Sequence, residues 1–363
     1  MPEECVEFLH ELVAARSVSG DERAAAEVFT RWADRFGLHG SIDEAGNAIG
    51  VRPSAGDRER TIVLLGHIDT VPGDIPVRIE DGVLHGRGSV DAKGPIAAML
   101  VAASRAELPG GVEIQVVGAV GEETPHSPGA NHYKNTVRPD ACIIGEPSGA
   151  DGVTLGYKGR LVVQFSAEQD SGHSAGADGS AADTAFAWWT RVLAEVARLN
   201  EGREGAFDVI QATVRDVRTE SDGLTDRCVL DGGFRLPTWV GPEELERTIR
   251  AIESPGALRF EGHEVAVRSA RDDAVVRALT VAIRETGERP RQKVKTGTSD
   301  MNVVWPVWRC PIAAYGPGDS SLDHTPREHL AISEYRAAIG VLTRALEVLA
   351  AELVASGTPA ETR

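Results

Sequence analysis

Four short apolar segments of the chain end in a glycine that is followed at once or shortly by polar or ionisable residues. Their ends read LLGHID at 64–69, VGEE at 120–123, IGEP at 144–147 and AYGPG at 314–318. Segments with apolar residues at helical spacing, such as 93–106, lie among them. Short apolar strands that alternate with helices are typical of an α/β domain. We therefore predict an α/β fold with a mainly parallel sheet.

A different order of elements begins near residue 161. The pattern there is strand, helix, two strands, helix and strand, which predicts a small α+β, ferredoxin-like domain inserted into the first one. The helix and strand patterns of the α/β domain resume near residue 270. We expect the α/β domain to comprise residues 1–156 and 268–363, and the inserted domain to comprise 157–267.

The charge of the chain restricts its partners. Against 38 Lys and Arg stand 55 Asp and Glu, a formal charge of −17, so neither a broad nucleic-acid surface nor an anionic-membrane surface is expected. The amino terminus is acidic, and the longest apolar run, 96–103, is far shorter than the roughly 20 residues of a membrane span. Four scattered cysteines predict neither a disulfide framework nor a thiolate zinc site. These features together predict a cytoplasmic protein.

Ionisable residues follow several of the predicted parallel strands. Ligands bind at the carboxyl ends of the strands in such sheets, so these residues are expected to converge. Carboxylates and imidazoles without thiolates suit zinc, manganese or cobalt in a hydrolytic site, where two metals can share one carboxylate and one water. Two adjacent glutamates could supply one ligand and one general base. The candidates are His67, Asp91, Glu122, Glu123, Glu146 and His324.

Several motifs carry a family resemblance. GHIDTVP at 66–72, GRGSVDAKG at 86–94, GEE at 121–123 and GEPS at 145–148 occur in family order, and the chain resembles the dinuclear zinc M20 family of metallopeptidases and deacylases. Three more segments, 156–160, 295–302 and 315–326, are similar to one branch of that family. Members of this branch hydrolyse the bond between lysine or ornithine and an amino-group carrier protein.

The resemblance implies a role for each candidate. His67 and Glu146 would hold one zinc, Glu123 and His324 the other, and Asp91 would bridge them; Co²⁺ or Mn²⁺ could substitute. Asp69 would orient His67 through its second ring nitrogen. Glu122 would be the general base. A cis peptide is expected at Asp91–Ala92. Within the inserted domain, which serves as a lid and dimerisation domain in relatives, His173 would stabilise the oxyanion, in dimeric relatives from the partner subunit.

The resemblance also implies substrate contacts and a substrate. Arg235 would bind a substrate carboxylate, although Gly233 stands where relatives usually carry an aspartate. The predicted substrate is the amide between an amino acid and the C-terminal glutamate of an acidic carrier protein. The product would be lysine, ornithine or a related diamino acid. The enzyme is expected to be a homodimer. Backbone and hydroxyl donors are expected from Gly297, Thr298 and Ser299. A basic strip for docking the carrier is expected from Lys158, Arg160, Arg291, Lys293 and Lys295.

Other functions compete with this one. A deacylase of small N-acyl amino acids, of the acetylornithine or succinyl-diaminopimelate type, or a dipeptidase would use the same metal site. GHSAG at 172–176 matches the G-x-S-x-G motif of serine esterases, which would use Ser174 with His324. Polar residues flank that motif where an esterase needs a strand and a helix. GRG at 86–88 lacks the third glycine of a dinucleotide fingerprint.

Overall fold

The structure, a computed structural model, describes residues 2–172 and 179–357. It divides into two units. The first contains the chain up to Gly156, Ser269–Val294 and the chain from Ser299 onward. The second contains Tyr157–Arg268 and Lys295–Thr298. None of the helices in these described ranges has the length and apolar character that a bilayer span requires.

Helices and strands alternate along most of the described chain. The helices are α1 Pro2–Ala14, α2 Arg23–Arg35, α3 Lys93–Arg105, α4 Pro128–Tyr133, α5 Ala181–Leu199, α6 Pro242–Arg250, α7 Ala274–Glu285, α8 Asp300–Trp308 and α9 Ile332–Ala355. The strands are β1 His39–Ile42, β2 Ala48–Arg52, β3 Arg60–His67, β4 Arg78–Glu80, β5 Val83–His85, β6 Val112–Ala119, β7 Ala141–Gly145, β8 Gly152–Tyr157, β9 Gly159–Asp170, β10 Gln211–Ser221, β11 Thr225–Leu236, β12 Ala257–Glu264, β13 Val267–Arg268, β14 Arg291–Lys295, β15 Ile312–Ala314 and β16 His329–Ala331.

A mainly parallel sheet is the centre of the first unit, as predicted. Its strand order is β1-β2-β6-β3-β7-β15-β8, and the four central strands β6, β3, β7 and β15 run parallel. Every residue of β3 is buried, which explains its continuous apolar pattern. At the end of β3, Gly66 lies opposite Gly145, and a Cβ on Gly66 would lie 3.2 Å from the Gly145 carbonyl oxygen. Glycine therefore permits close approach of these two strand ends.

The second unit has the predicted ferredoxin-like topology. Its antiparallel sheet has the order β10-β11-β9-β12, with α5 and α6 between strands in the sequence. Alternate residues of β9 and β11 join the core with these helices, and Phe165 stacks on Trp188 with ring centroids 4.7 Å apart. The other residues of each strand, which include Arg160 and Arg235, therefore point to the opposite face of the sheet.

Some elements were not predicted or were misplaced. The apolar pattern of the sequence predicts the last strand of the insert at 263–267, whereas β12 spans Ala257–Glu264. This strand alternates between exposed and half-buried residues and has no fully buried position, so its apolar signal is weak. β1, β2, β8 and α8 were also missed, and the first three are short strands outside the parallel centre.

Candidate metal centre

The predicted site residues of the first unit lie at the ends of its central strands. His67 is the last residue of β3, Glu122 and Glu123 follow β6, and Glu146 follows β7 directly. Asp91 lies just before α3, and His324 lies ten residues beyond the end of β15. Because the carboxyl ends of parallel strands lie along one edge of the sheet, residues that are distant in sequence converge there.

Asp91 lies between the two imidazole rings. Its Oδ1 is 3.2 Å from Nε2 of His67, and its Oδ2 is 3.1 Å from Nε2 of His324. The same His324 nitrogen is 2.8 Å from Oε1 of Glu123. Ligand atoms of His67, Asp91 and Glu123 all lie within 4.8 Å of one another, close enough to hold a metal ion. Because each oxygen of the Asp91 carboxylate faces a different imidazole, this carboxylate is also suited to bridging two metals.

Asp69 connects the His67 ring to the loop after β6. Its side chain is fully buried, and its Oδ1 lies 3.3 Å from Nδ1 of His67. The backbone amides of Glu122 and Glu123 donate to its two carboxylate oxygens at 3.0 and 3.1 Å. The Ser19 hydroxyl donates to it at 2.7 Å. One buried carboxylate thus fixes the ring of one candidate ligand and the backbone of two candidate site residues.

The pKa of Glu122 is suited to a general base. Burial raises the pKa of Glu122 well above its ordinary value, and the carboxylates of Asp300, Glu146 and Glu123 raise it further, although His67 acts in the opposite direction. A carboxylate with a raised pKa is a better proton acceptor. Hydrogen bonds to Asp91 and Glu123 raise the pKa of His324 to about 10.

The pKa values of His67 and Asp91 show how strongly the cluster attracts positive charge. Burial lowers the pKa of His67, but hydrogen bonds to Asp69 and Asp91 outweigh it, and the net pKa is raised well above the ordinary value. For Asp91 burial raises the pKa, and hydrogen bonds from His324 and His67 bring it below the ordinary value. A set of imidazoles and carboxylates with this charge fits a divalent metal such as zinc.

Glu328 was not predicted, yet it fixes the backbone of Asp91. Its side chain is fully buried, and Oε1 accepts from the amides of Val90 and Asp91 at 2.9 and 3.1 Å. Oε2 accepts from the Arg87 guanidinium at 2.7 Å. The peptide bond between Asp91 and Ala92 is cis, as predicted. Only the position of Glu328, four residues after His324, could have drawn attention to it, and nothing in the sequence pointed to Ser19.

Three predicted substrate-binding residues meet in the second unit. Arg160 and Arg235 are direct neighbours across β9 and β11. Nη1 of Arg235 donates to Oγ1 of Thr298 at 3.1 Å, and Nη2 of Arg160 lies 2.5 Å from Oε1 of Glu264. Gly297 precedes Thr298 in the same unit, and a Cβ at that position would meet nothing within 4 Å.

The predicted docking role of Lys158 is wrong. This side chain is fully buried, and its ammonium donates to the carbonyl oxygens of Ala206 (2.7 Å) and Val209 and to Oε1 of Gln211 (3.2 Å). Burial lowers the pKa of Lys158 to about 8. Lys158 is therefore an internal support of the second unit and cannot contact a docked protein.

The rest of the predicted basic strip is also engaged or surrounded by acids. Arg291 is paired with Asp151, and the Lys295 ammonium lies 5.8 Å from the centre of the Tyr157 ring. Arg291 and Lys293 line a cleft of about 550 Å³ that has four carboxylates in its lining, so it does not favour an acidic partner. These carboxylates belong to Asp151, Glu288, Asp319 and Glu334.

Ser299 has a structural role, and two further predicted residues are not described. Ser299 is buried and is the N-cap of α8, where its hydroxyl oxygen accepts from the Met301 amide at 3.2 Å; it lies in the first unit. This capping role was not predicted. His173, predicted to stabilise the oxyanion, and Ser174, the nucleophile of the competing esterase hypothesis, both lie outside the described residues.

Comparison with known proteins decides the family. Residues 63–348 match the model of peptidase family M20/M25/M40. The chain belongs to the M20 family. A relative from Deinococcus radiodurans, called "[LysW]-lysine hydrolase", is 49% identical over 348 residues, which cover 94% of this chain and 95% of the relative. As an M20 enzyme, the chain is a hydrolase.

Solved M20 structures share this fold at low sequence identity. A crystal structure of an M20 family metallo-carboxypeptidase from Sulfolobus solfataricus matches with a TM-score of 0.77 and 18% identity, and covers 96% of this chain and 99% of its own. A Bacillus subtilis protein described as a dinuclear metal binding peptidase from the M20 family matches with a TM-score of 0.70 and 13% identity, over 97% of this chain and 98% of its own.

Proposed function

We propose that this M20 enzyme releases lysine, ornithine or a related diamino acid from an amino-group carrier protein. The bond cleaved is the amide between the α-amino group of the amino acid and the side chain of the carrier's C-terminal glutamate. The observation that carries the proposal is the 49% identity, over nearly the whole chain, to a protein called "[LysW]-lysine hydrolase". The cluster around Asp91 supports hydrolysis, since its donors are those of a hydrolytic metal site.

The candidate ligands fall into two groups with one shared member. We assign His67 and Glu146 to one zinc ion, Glu123 and His324 to the other, and Asp91 to both. The two oxygens of Asp91, which face different imidazoles at 3.2 and 3.1 Å, support that assignment. Co²⁺ or Mn²⁺ could replace zinc at such ligands. Bound zinc would acidify a water molecule and polarise the amide carbonyl.

Glu122 moves the proton in this mechanism. Its carboxylate, with a pKa raised chiefly by burial, accepts a proton from the attacking water and then gives it to the nitrogen of the departing amino acid. Asp69 holds the Glu122 amide at 3.0 Å and so positions this residue beside Glu123. Arg235 would bind a carboxylate of the substrate. The oxyanion role of His173, the homodimer and the cytoplasmic location stay predictions.

A comparison of substrates tests the proposal. The purified enzyme is incubated with carrier-linked lysine, N-acetylornithine and N-succinyl-diaminopimelate at equal concentrations, and free amino acid is measured. We expect kcat/KM for carrier-linked lysine to exceed that for either small substrate by at least about 100-fold, roughly 2.7 kcal/mol of transition-state binding. Hydrolysis of only the small substrates would replace the proposal with the small-molecule deacylase.

A further inference from the structure

Three arginines surround a cavity of the second unit whose lining contains no carboxylate. The cavity has a volume of about 230 Å³, and Arg160, Arg215 and Arg235 line it together with uncharged residues. It lies on the sheet face opposite to α5 and α6, because Leu161 and Phe234, next to two of these arginines, belong to the core under the helices. Three guanidinium groups around one space favour an anionic ligand.

Two of the arginines are directly opposite each other. Arg160 and Arg235 are partners in the register of β9 and β11, an arrangement that is unfavourable for like charges. Glu264 contacts Arg160 at 2.5 Å. Arg235 donates to the uncharged hydroxyl of Thr298, and both burial and Arg160 lower the pKa of Arg235, although Glu264 acts in the opposite direction.

The third arginine, Arg215, lies in a β-bulge. In the pairing of β10 with β11, Val214 opposes Gly232 and Asp216 opposes Asp231, so Arg215 is the extra residue. Bulges re-aim a side chain in this way. Arg215 is exposed, and it forms neither a hydrogen bond nor an ion pair with any residue that the structure describes. Arg218, on the same strand, is instead paired with Asp231 at 2.9 Å and Asp216 at 3.2 Å.

Gly233 makes room for this arginine. A Cβ at Gly233 would lie 2.9 Å from Cδ of Arg215, so the arginine side chain crosses β11 over the glycine. An aspartate at this position would place a carboxylate against the guanidinium and neutralise it. The glycine thus preserves both the path and the charge of Arg215.

We propose that Arg215 binds the free α-carboxylate at the C-terminus of the carrier protein, beside a second carboxylate bound by Arg235. This inference rests on the proposed function, because a substrate in which the C-terminal glutamate is amidated through its side chain carries two carboxylates. One belongs to the attached amino acid and the other is the carrier's own chain end. Guanidinium groups bind carboxylates with strong, charge-assisted hydrogen bonds. Arg215 is then a specificity residue that favours the carrier.

The test compares carrier-linked lysine with the same substrate whose C-terminal α-carboxylate is converted to an amide by semisynthesis. For the wild-type enzyme we expect amidation to raise KM about tenfold with little change in kcat, as for the loss of one charged hydrogen bond. In Arg215→Gln we expect KM for the unmodified substrate to rise by the same factor and amidation to have no further effect. This thermodynamic cycle isolates the contact between Arg215 and the carboxylate.

Matched variants control for charge and shape. Arg218→Gln removes the same charge from the same strand, but its guanidinium is already paired, so KM should stay within about twofold of wild type. Gly233→Asp and Gly233→Asn place the same bulk in the path of Arg215, but only Asp also neutralises its charge, so Gly233→Asp should raise KM more than Gly233→Asn does. Equal effects of Asp and Asn at position 233 would show a steric cause and contradict the neutralisation of Arg215.

Two failures can be distinguished. If the wild-type enzyme does not hydrolyse carrier-linked lysine, the proposed function is wrong. If it does, but wild type and Arg215→Gln respond equally to amidation, the role of Arg215 is wrong and the proposed function stands. Absence of any response to amidation in the wild type would also overturn the role of Arg215.

Discussion

Glu328 should control the metal centre although it is not a candidate ligand. The perturbation is Glu328→Gln, which keeps the shape of the side chain and removes its charge. The Gln oxygen can still accept from the amides of Val90 and Asp91, where Glu328 now accepts at 2.9 and 3.1 Å. The Gln amide group, however, would present a donor to the Arg87 guanidinium, which now donates to Oε2 at 2.7 Å.

The structure sets the size of the effect. Glu328 is fully buried and the Arg87 side chain is 12% exposed, so the variant leaves a largely buried cation without its carboxylate partner. Loss of one member of such a pair costs about 3–5 kcal/mol of unfolding free energy. A Gln side chain that shifts away from Arg87 also shifts the backbone of Asp91. Replacement of a residue that positions a metal ligand commonly lowers metal affinity by about 10–100-fold, and we expect a loss of zinc affinity in that range.

Zinc affinity is measured by competition with a chromophoric chelator, and stability by chemical denaturation in the presence of excess chelator. Asp273→Asn is the matched control. Asp273 is also a carboxylate that accepts from two backbone amides, those of Val275 at 2.9 Å and Ile312 at 3.4 Å, but it does not contact Asp91. We expect this control to lower stability and leave zinc affinity within about threefold of wild type. Equal zinc affinity in Glu328→Gln and wild type would refute the positioning of Asp91 by Glu328.

Three further outcomes follow from the contacts described above. Asp69→Asn should weaken zinc retention about tenfold or more, because the buried carboxylate beside His67 is lost; retention equal to wild type in a dialysis assay would contradict this. Chelator treatment should abolish hydrolysis, and added zinc should restore it; full activity with no bound metal, measured by mass spectrometry, would exclude the metal mechanism. Burial lowers the pKa of Lys158 from 10.5 to about 8, so the unfolded chain binds more protons between those pH values and this residue makes stability rise with pH there. Lys158→Met should flatten that rise in calorimetry at pH 8 and pH 10, and an unchanged slope would disprove it.

Patterns inside individual strands were enough to predict the centre of the fold. β3 and β7 are buried along their whole length and β6 along its second half, and a glycine at or close to the end of each strand marks where the sheet gives way to polar loops. The antiparallel strands at the margins were harder to predict. β1, for example, has no fully buried residue, so hydrophobic periodicity carries little information about it.

The same contrast holds within the candidate site. His67 and Glu146 could be named because they adjoin strand ends, and the spatial convergence of such residues follows from a parallel sheet. Glu328 contacts the Asp91 amide and Ser19 contacts Asp69, although each pair is distant in the sequence. The residues that flank Glu328 and Ser19 in the sequence do not indicate these contacts. The docking role predicted for Lys158 is wrong because the carbonyl oxygens of Ala206 and Val209, which are distant in the sequence, accept from its ammonium in the interior.

The most direct test of the account measures turnover and metal content on the same samples of wild type and Glu122→Gln, with carrier-linked lysine as substrate. Gln cannot accept the proton from the attacking water, but it leaves every candidate metal ligand in place. We predict two bound zinc ions per chain in both proteins, release of lysine by the wild type, and a kcat at least about 100-fold lower in the variant. Wild-type-like turnover in Glu122→Gln, or no release of lysine by the zinc-loaded wild type, would contradict the account.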